Sequence, residues 1–105
     1  MSYSMITGNV MSAAVLSVSL TPTSVGANTT AAQTFTVPGV KVGDYVAVDP
    51  PSTTTGILVG KARVSAADTV AISFANVTGG SLTPPVGTYV MFVARGGSAP
   101  AGFAP

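Results

Sequence analysis

Apolar residues recur at every second position along most of this chain. Phe35 and Val37 alternate with Thr34 and Thr36, the period of a strand with one buried and one polar face. Ala13–Leu20 repeats the pattern, with Leu16, Val18 and Leu20 on one side and Val15, Ser17 and Ser19 on the other. A short helical turn over Ser12–Leu16 is the competing reading. Tyr45–Val48, Ile57–Ser65, Val70–Phe74 and Thr88–Arg95 complete the set of predicted strands.

The segments between them carry turn chemistry. Pro38-Gly39 offers a preset φ followed by a residue that accepts positive φ. Gly43-Asp44 bends the chain again, with the Asp44 carboxylate free to fold back onto nearby N–H groups. Asp49-Pro50-Pro51 ends the next strand by removing two ladder donors. Ala66-Ala67-Asp68-Thr69 suits a hairpin between its flanking strands. The pattern predicts a single all-β domain: a small antiparallel β-sandwich, jelly-roll-like, of about six to eight strands.

The last predicted strand departs from simple alternation. Tyr89, Met91 and Val93 share one face and Val90, Phe92 and Ala94 share the other, so both faces are apolar. Only one face of a sandwich strand meets the core, and the second therefore calls for a cover. Tyr89, Met91 and Val93 are the candidate partner contacts on this strand. The termini supply more: Tyr3, Met5, Ile6 and Met11 in a charge-free N-terminal arm, and Phe103 in a Gly/Pro/Ala tail. The division expected is an arm and first strand over residues 1–20, the sandwich over 21–95 and a tail over 96–105.

Charge sharpens this picture. Of 105 residues, 7% are charged, against roughly 25% in an ordinary domain. With a mean hydropathy of +0.57, burial of much of the exterior against other chains is the economical arrangement. Lys41, Lys61, Arg63 and Arg95 are scattered, which leaves no electrostatic footprint for nucleic acid. Lys61 and Arg63 fall on one face of a strand and read as a solvated edge, with a partner carboxylate such as Asp44 or Asp68 of a neighbouring chain as the sharper alternative. No run of eighteen apolar residues predicts a membrane span.

Catalytic chemistry has little to work with. The chain has no Cys, His or Glu, and Asp44, Asp49 and Asp68 stand at no metal-ligand or triad spacing. No enzymatic activity, cofactor or metal is expected. Asn28-Thr29-Thr30 and Asn76-Val77-Thr78 match a glycosylation triplet, and both read as chance in a Thr-rich chain.

Several strings nevertheless carry a resemblance. Asn28-Thr-Thr-Ala-Ala-Gln-Thr-Phe-Thr-Val-Pro-Gly-Val-Lys-Val-Gly-Asp-Tyr-Val-Ala-Val is followed by Pro50-Pro51. Ala62-Arg-Val-Ser-Ala-Ala-Asp-Thr-Val-Ala-Ile-Ser-Phe-Ala-Asn and Thr83-Pro-Pro-Val-Gly-Thr-Tyr come after it. In this order, over about Val25 to Arg95, they resemble a module of tailed-bacteriophage virion structural proteins. The resemblance implies a capsid decoration (cement) protein or a head-fibre or tail-fibre subunit, commonly a homotrimer. A decoration protein would sit on the outer capsid surface against the major capsid protein. A carbohydrate- or receptor-binding fibre module is the alternative, although sugar recognition favours exposed aromatic platforms and this chain has no Trp.

Overall fold

The computed structural model describes residues 10–96, with side-chain surroundings from residue 12 onward. It contains six strands: β1 (Val10–Leu20), β2 (Thr29–Thr36), β3 (Tyr45–Asp49), β4 (Ile57–Ala66), β5 (Thr69–Asn76) and β6 (Gly87–Gly96). Ser12–Leu16, the one stretch with a helical alternative, lies inside β1. The strands form two antiparallel sheets, β1-β6-β3 and β2-β5-β4, packed face to face as the expected β-sandwich.

Proline placement follows this topology. Each crossing from one sheet to the other contains at least one proline: Pro22 after β1, Pro38 after β2, Pro50 and Pro51 after β3, Pro84 and Pro85 before β6. A residue with fixed φ and no N–H cannot continue a ladder, so the chain leaves its sheet there. The one connection within a sheet, the β4–β5 hairpin through Ala67 and Asp68, has none. Asp68 takes a positive φ of 58° in that hairpin. Gly39, at φ 97°, supplies the positive φ that Pro38-Gly39 requires.

The core is filled from alternate positions. Val70, Ile72 and Phe74 of β5 face Tyr89, Met91 and Val93 of β6, with Val46, Ile57 and Val64 closing the sides. Both central strands thus contribute their bulkiest inward residues, and the edge strands contribute the rest. β4 keeps its inward residues aligned through a bulge between Val59 and Ala62, which inserts one extra residue opposite Phe74 and Ile72.

Two polar clasps tie the loops to this core. At one end the Asp68 carboxylate accepts the Gly39 N–H at 2.7 Å, while the Asp68 N–H donates to Val40 O and its carbonyl accepts from Val37. At the other end Asn76 is 1% exposed and fully bonded. Its Nδ2 donates to Val25 O at 3.0 Å and Gly80 O at 2.8 Å, and its Oδ1 accepts the Thr78 N–H and hydroxyl. A side chain so engaged is unavailable for glycosylation, which accounts for the Asn76 triplet. The buried Tyr89 hydroxyl donates to Pro85 O at 2.7 Å, and burial raises its pKa.

Candidate functional site

The apolar residues singled out on the last strand divide between core and surface. Tyr89 and Met91 are 0% exposed and Val93 is 9% exposed, so the structure corrects their assignment as partner contacts: they are the core. β6 is the middle strand of its sheet, and its larger odd-numbered side chains fill the space above β5. Its even-numbered residues point outward. Tyr3, Met5, Ile6 and Phe103 lie outside the described residues, as does the side chain of Met11.

The outward face of β1-β6-β3 is the site the strand register assembles. Three rows cross it: Ala13–Ala94–Tyr45, Val15–Phe92–Ala47 and Ser17–Val90–Asp49. Val15 is 68% exposed, Tyr45 63%, Phe92 42% and Val90 38%. Antiparallel neighbours sit about 5 Å apart, so these side chains form one continuous apolar surface rather than scattered contacts. A shallow depression at its centre is lined by Val15, Ala47, Asp49, Val90 and Phe92. Asp49 is the single charged residue in the three rows.

Local sequence explains why the face is apolar. Val and Phe are strong strand formers, and on a solvated face Thr would serve the strand equally well. Here β2 uses Thr30, Thr34 and Thr36 at three of its exposed positions and the small Ala32 between them, whereas β6 uses Val90 and Phe92. The chain thus covers one exposed strand with hydroxyls and leaves another bare.

The end of this sheet where β1 begins and β6 ends holds the ion pair of the described residues. Arg95 Nε donates to Asp44 Oδ1 at 2.9 Å and its Nη2 to Oδ2 at 2.8 Å, a two-point contact. Nη2 also donates to Gly39 O at 3.0 Å, and the Lys41 N–H donates to Asp44 Oδ2 at 2.9 Å. Asp44 therefore folds back onto local backbone, as its turn position predicts, and also reaches Arg95. The guanidinium and then the Lys41 N–H hold the Asp44 carboxyl down, from 3.8 to about 2.

That depression has a definite sign. The folded state binds the proton less readily than the unfolded chain, so the contribution of Asp44 is fully present above pH 3.8 and is lost as pH falls through about 2. Asp44→Asn should melt below wild type at neutral pH. The difference should shrink as pH is lowered from 4 toward 2, measured by thermal denaturation across that window. A gap that widens with acid would show that another group controls the acid transition.

Lys61 and Arg63 are both exposed on β4, an edge strand, and neither makes a salt bridge among the described residues. Among the same residues no cluster of three potential metal ligands occurs, and no helix is long and apolar enough to cross a membrane. No family model, curated protein or solved structure matches the chain. The functional reading accordingly rests on the exposed face and on the resemblance carried by the residues themselves.

Proposed function

We propose that the protein is a capsid decoration protein, which lays the outward face of β1-β6-β3 on the major capsid protein at the outer surface of a phage head and braces neighbouring coat subunits. The observation that carries this reading is the continuous apolar surface around Val15, Tyr45, Val90 and Phe92. A sheet face of this kind in a chain with so few charges has the makeup of an interface core, where aromatic and aliphatic side chains meet a partner and charge is scarce. The resemblance supplies the setting: virion, homo-oligomer (trimer favoured) and coat protein as partner. Nucleic acid, membrane and cofactor have no part in it.

The fibre reading draws less support. Of the two tyrosines whose side chains are described, Tyr89 is core and Tyr45 alone presents a ring outward. Stacking on a sugar generally calls for an exposed aromatic platform beside polar groups that fix the hydroxyls, and the rows around Tyr45 and Phe92 are aliphatic.

Copurification tests the proposal. Particles purified through a density gradient should contain this protein in a fixed ratio to the coat protein, and the ratio should persist through a high-salt wash because a nearly uncharged interface has little to screen. Absence from particles, or a ratio that varies between preparations, would refute the assignment.

A further inference from the structure

The sandwich has four edge strands, and they are not equally protected. β3 is five residues long, ends at Asp49-Pro50-Pro51 and shares a cleft with β4 lined by Tyr45, Val46, Lys61 and Arg63. β4 carries those two cations and a bulge between Val59 and Ala62. Short length, proline, lysine and bulges are the devices that discourage edge-to-edge pairing. β2 is held to the crossover that follows β1: the Thr23 N–H donates to Gln33 Oε1 at 2.8 Å, and Gln33 Nε2 donates to Thr23 O at 2.9 Å.

Beyond an irregularity at its very start, β1 has none of these protections. It is an eleven-residue edge strand without charge or proline, Val-Met-Ser-Ala-Ala-Val-Leu-Ser-Val-Ser-Leu, and its single irregularity lies at its start, between Val10 and Ser12. One side of it bonds to β6, and among the described residues its other row of backbone donors and acceptors has no strand beside it. A long, regular, uncharged edge is a template for another strand.

We propose that β1 pairs antiparallel with β1 of a second copy of this chain, across a two-fold axis through Val15. Val15 is the midpoint of Val10–Leu20, so this register engages the regular stretch on both sides of it, with Ser12 opposite Val18. An axis normal to the sheet keeps outward residues on the outward face, since opposed residues in an antiparallel pair project to the same side. On the inner face it sets Ala14 opposite Leu16 and Ser12 opposite Val18, small against large at each step. On the outer face it sets Val15 against Val15 and extends one row to Phe92–Val15–Val15–Phe92.

The second copy fits better than a foreign strand because it brings equal length, equal twist and no opposing charge, and an isologous contact closes on itself. The product is one continuous sheet in the order β3-β6-β1-β1-β6-β3. The edge is consumed by pairing and the apolar face is left free and doubled. Self-pairing does not depend on the capsid assignment, although a doubled face would raise avidity for any ordered surface. The two-fold order also departs from the homotrimer that the resemblance implies.

The test uses the isolated full chain. Sedimentation equilibrium should give twice the mass of the 10.3 kDa chain at micromolar concentration. Val15→Lys should weaken association at least 100-fold while leaving the far-UV spectrum of the β domain unchanged, and its melt should lose the concentration dependence that the wild-type dimer shows. Because the chain has no cysteine, Val15→Cys introduces a single thiol, and mild oxidation should convert it to a covalent dimer. Leu58→Cys, equally exposed but on the opposite sheet, should crosslink poorly. A monomer at 100 µM, a three-chain mass, or crosslinking of the Leu58 variant at the rate of the Val15 variant would each overturn the proposal.

Discussion

Asn76→Asp is expected to destabilise the domain by about 3–5 kcal/mol at neutral pH, the cost of leaving a buried charge without a countercharge. The change is nearly isosteric, so packing is not the cause. Oδ1 keeps its bonds from the Thr78 N–H and hydroxyl, but the atom that replaces Nδ2 becomes an acceptor facing two acceptors, the carbonyls of Val25 and Gly80. Those carbonyls anchor both sides of the loop region, where Val25 and Leu82 exchange backbone hydrogen bonds at 2.7 and 3.1 Å. Against a total stability of roughly 5–15 kcal/mol, such a loss leaves the domain marginal. Urea titration checks it, and acidification should recover part of the deficit, because a protonated carboxyl can donate to one of the two carbonyls. A loss under about 1 kcal/mol would mean that the Asn76 network is replaceable by water.

The strands were legible in the sequence because period-two alternation and turn chemistry are local. Ala13–Leu20, Tyr45–Val48 and Val70–Phe74 each fall inside an observed strand, and Val15 was placed with Ser17 and Ser19 on the side that proves exposed. The orientation of β6 was not legible. Alternation separates Tyr89, Met91 and Val93 from Val90 and Phe92, but with both sets apolar it does not say which set faces inward. That depends on the volume left above Ile72 and Phe74, a property of the assembled sandwich.

The same reasoning covers the polar contacts. Asp44 was readable as a turn residue because Lys41 is three positions away. Its bond to Arg95 spans 51 positions and exists because Tyr45 pairs with Ala94, a register no local pattern specifies. Asn76 likewise gave no signal beyond a chance triplet, because its partners at Val25 and Gly80 converge only when the two sheets stack. Residues whose partners are close in sequence were visible, and those that join distant segments were not.

Phe92→Asp should abolish docking to capsids while sparing the fold. Phe92 occupies the middle of the central row of the exposed face and is 42% exposed, so its replacement leaves the core of Tyr89, Met91 and Phe74 intact. In the docked state the variant forfeits burial of the part of the ring still exposed in the free domain, about 1 kcal/mol. It also buries a carboxylate without a partner, a further penalty of about 2 kcal/mol or more. Together these amount to at least roughly a hundredfold loss of affinity at 1.4 kcal/mol per factor of ten. Leu58→Asp is the matched control, since Leu58 is 59% exposed and belongs to the other sheet. The decisive measurement is a cosedimentation titration of wild type, Phe92→Asp and Leu58→Asp against capsids stripped of the protein. Saturable binding by wild type and Leu58→Asp, with none by Phe92→Asp over the same range, is the predicted result. Equal binding by all three, or loss confined to Leu58→Asp, would contradict the assignment of the β1-β6-β3 face as the surface that meets the capsid.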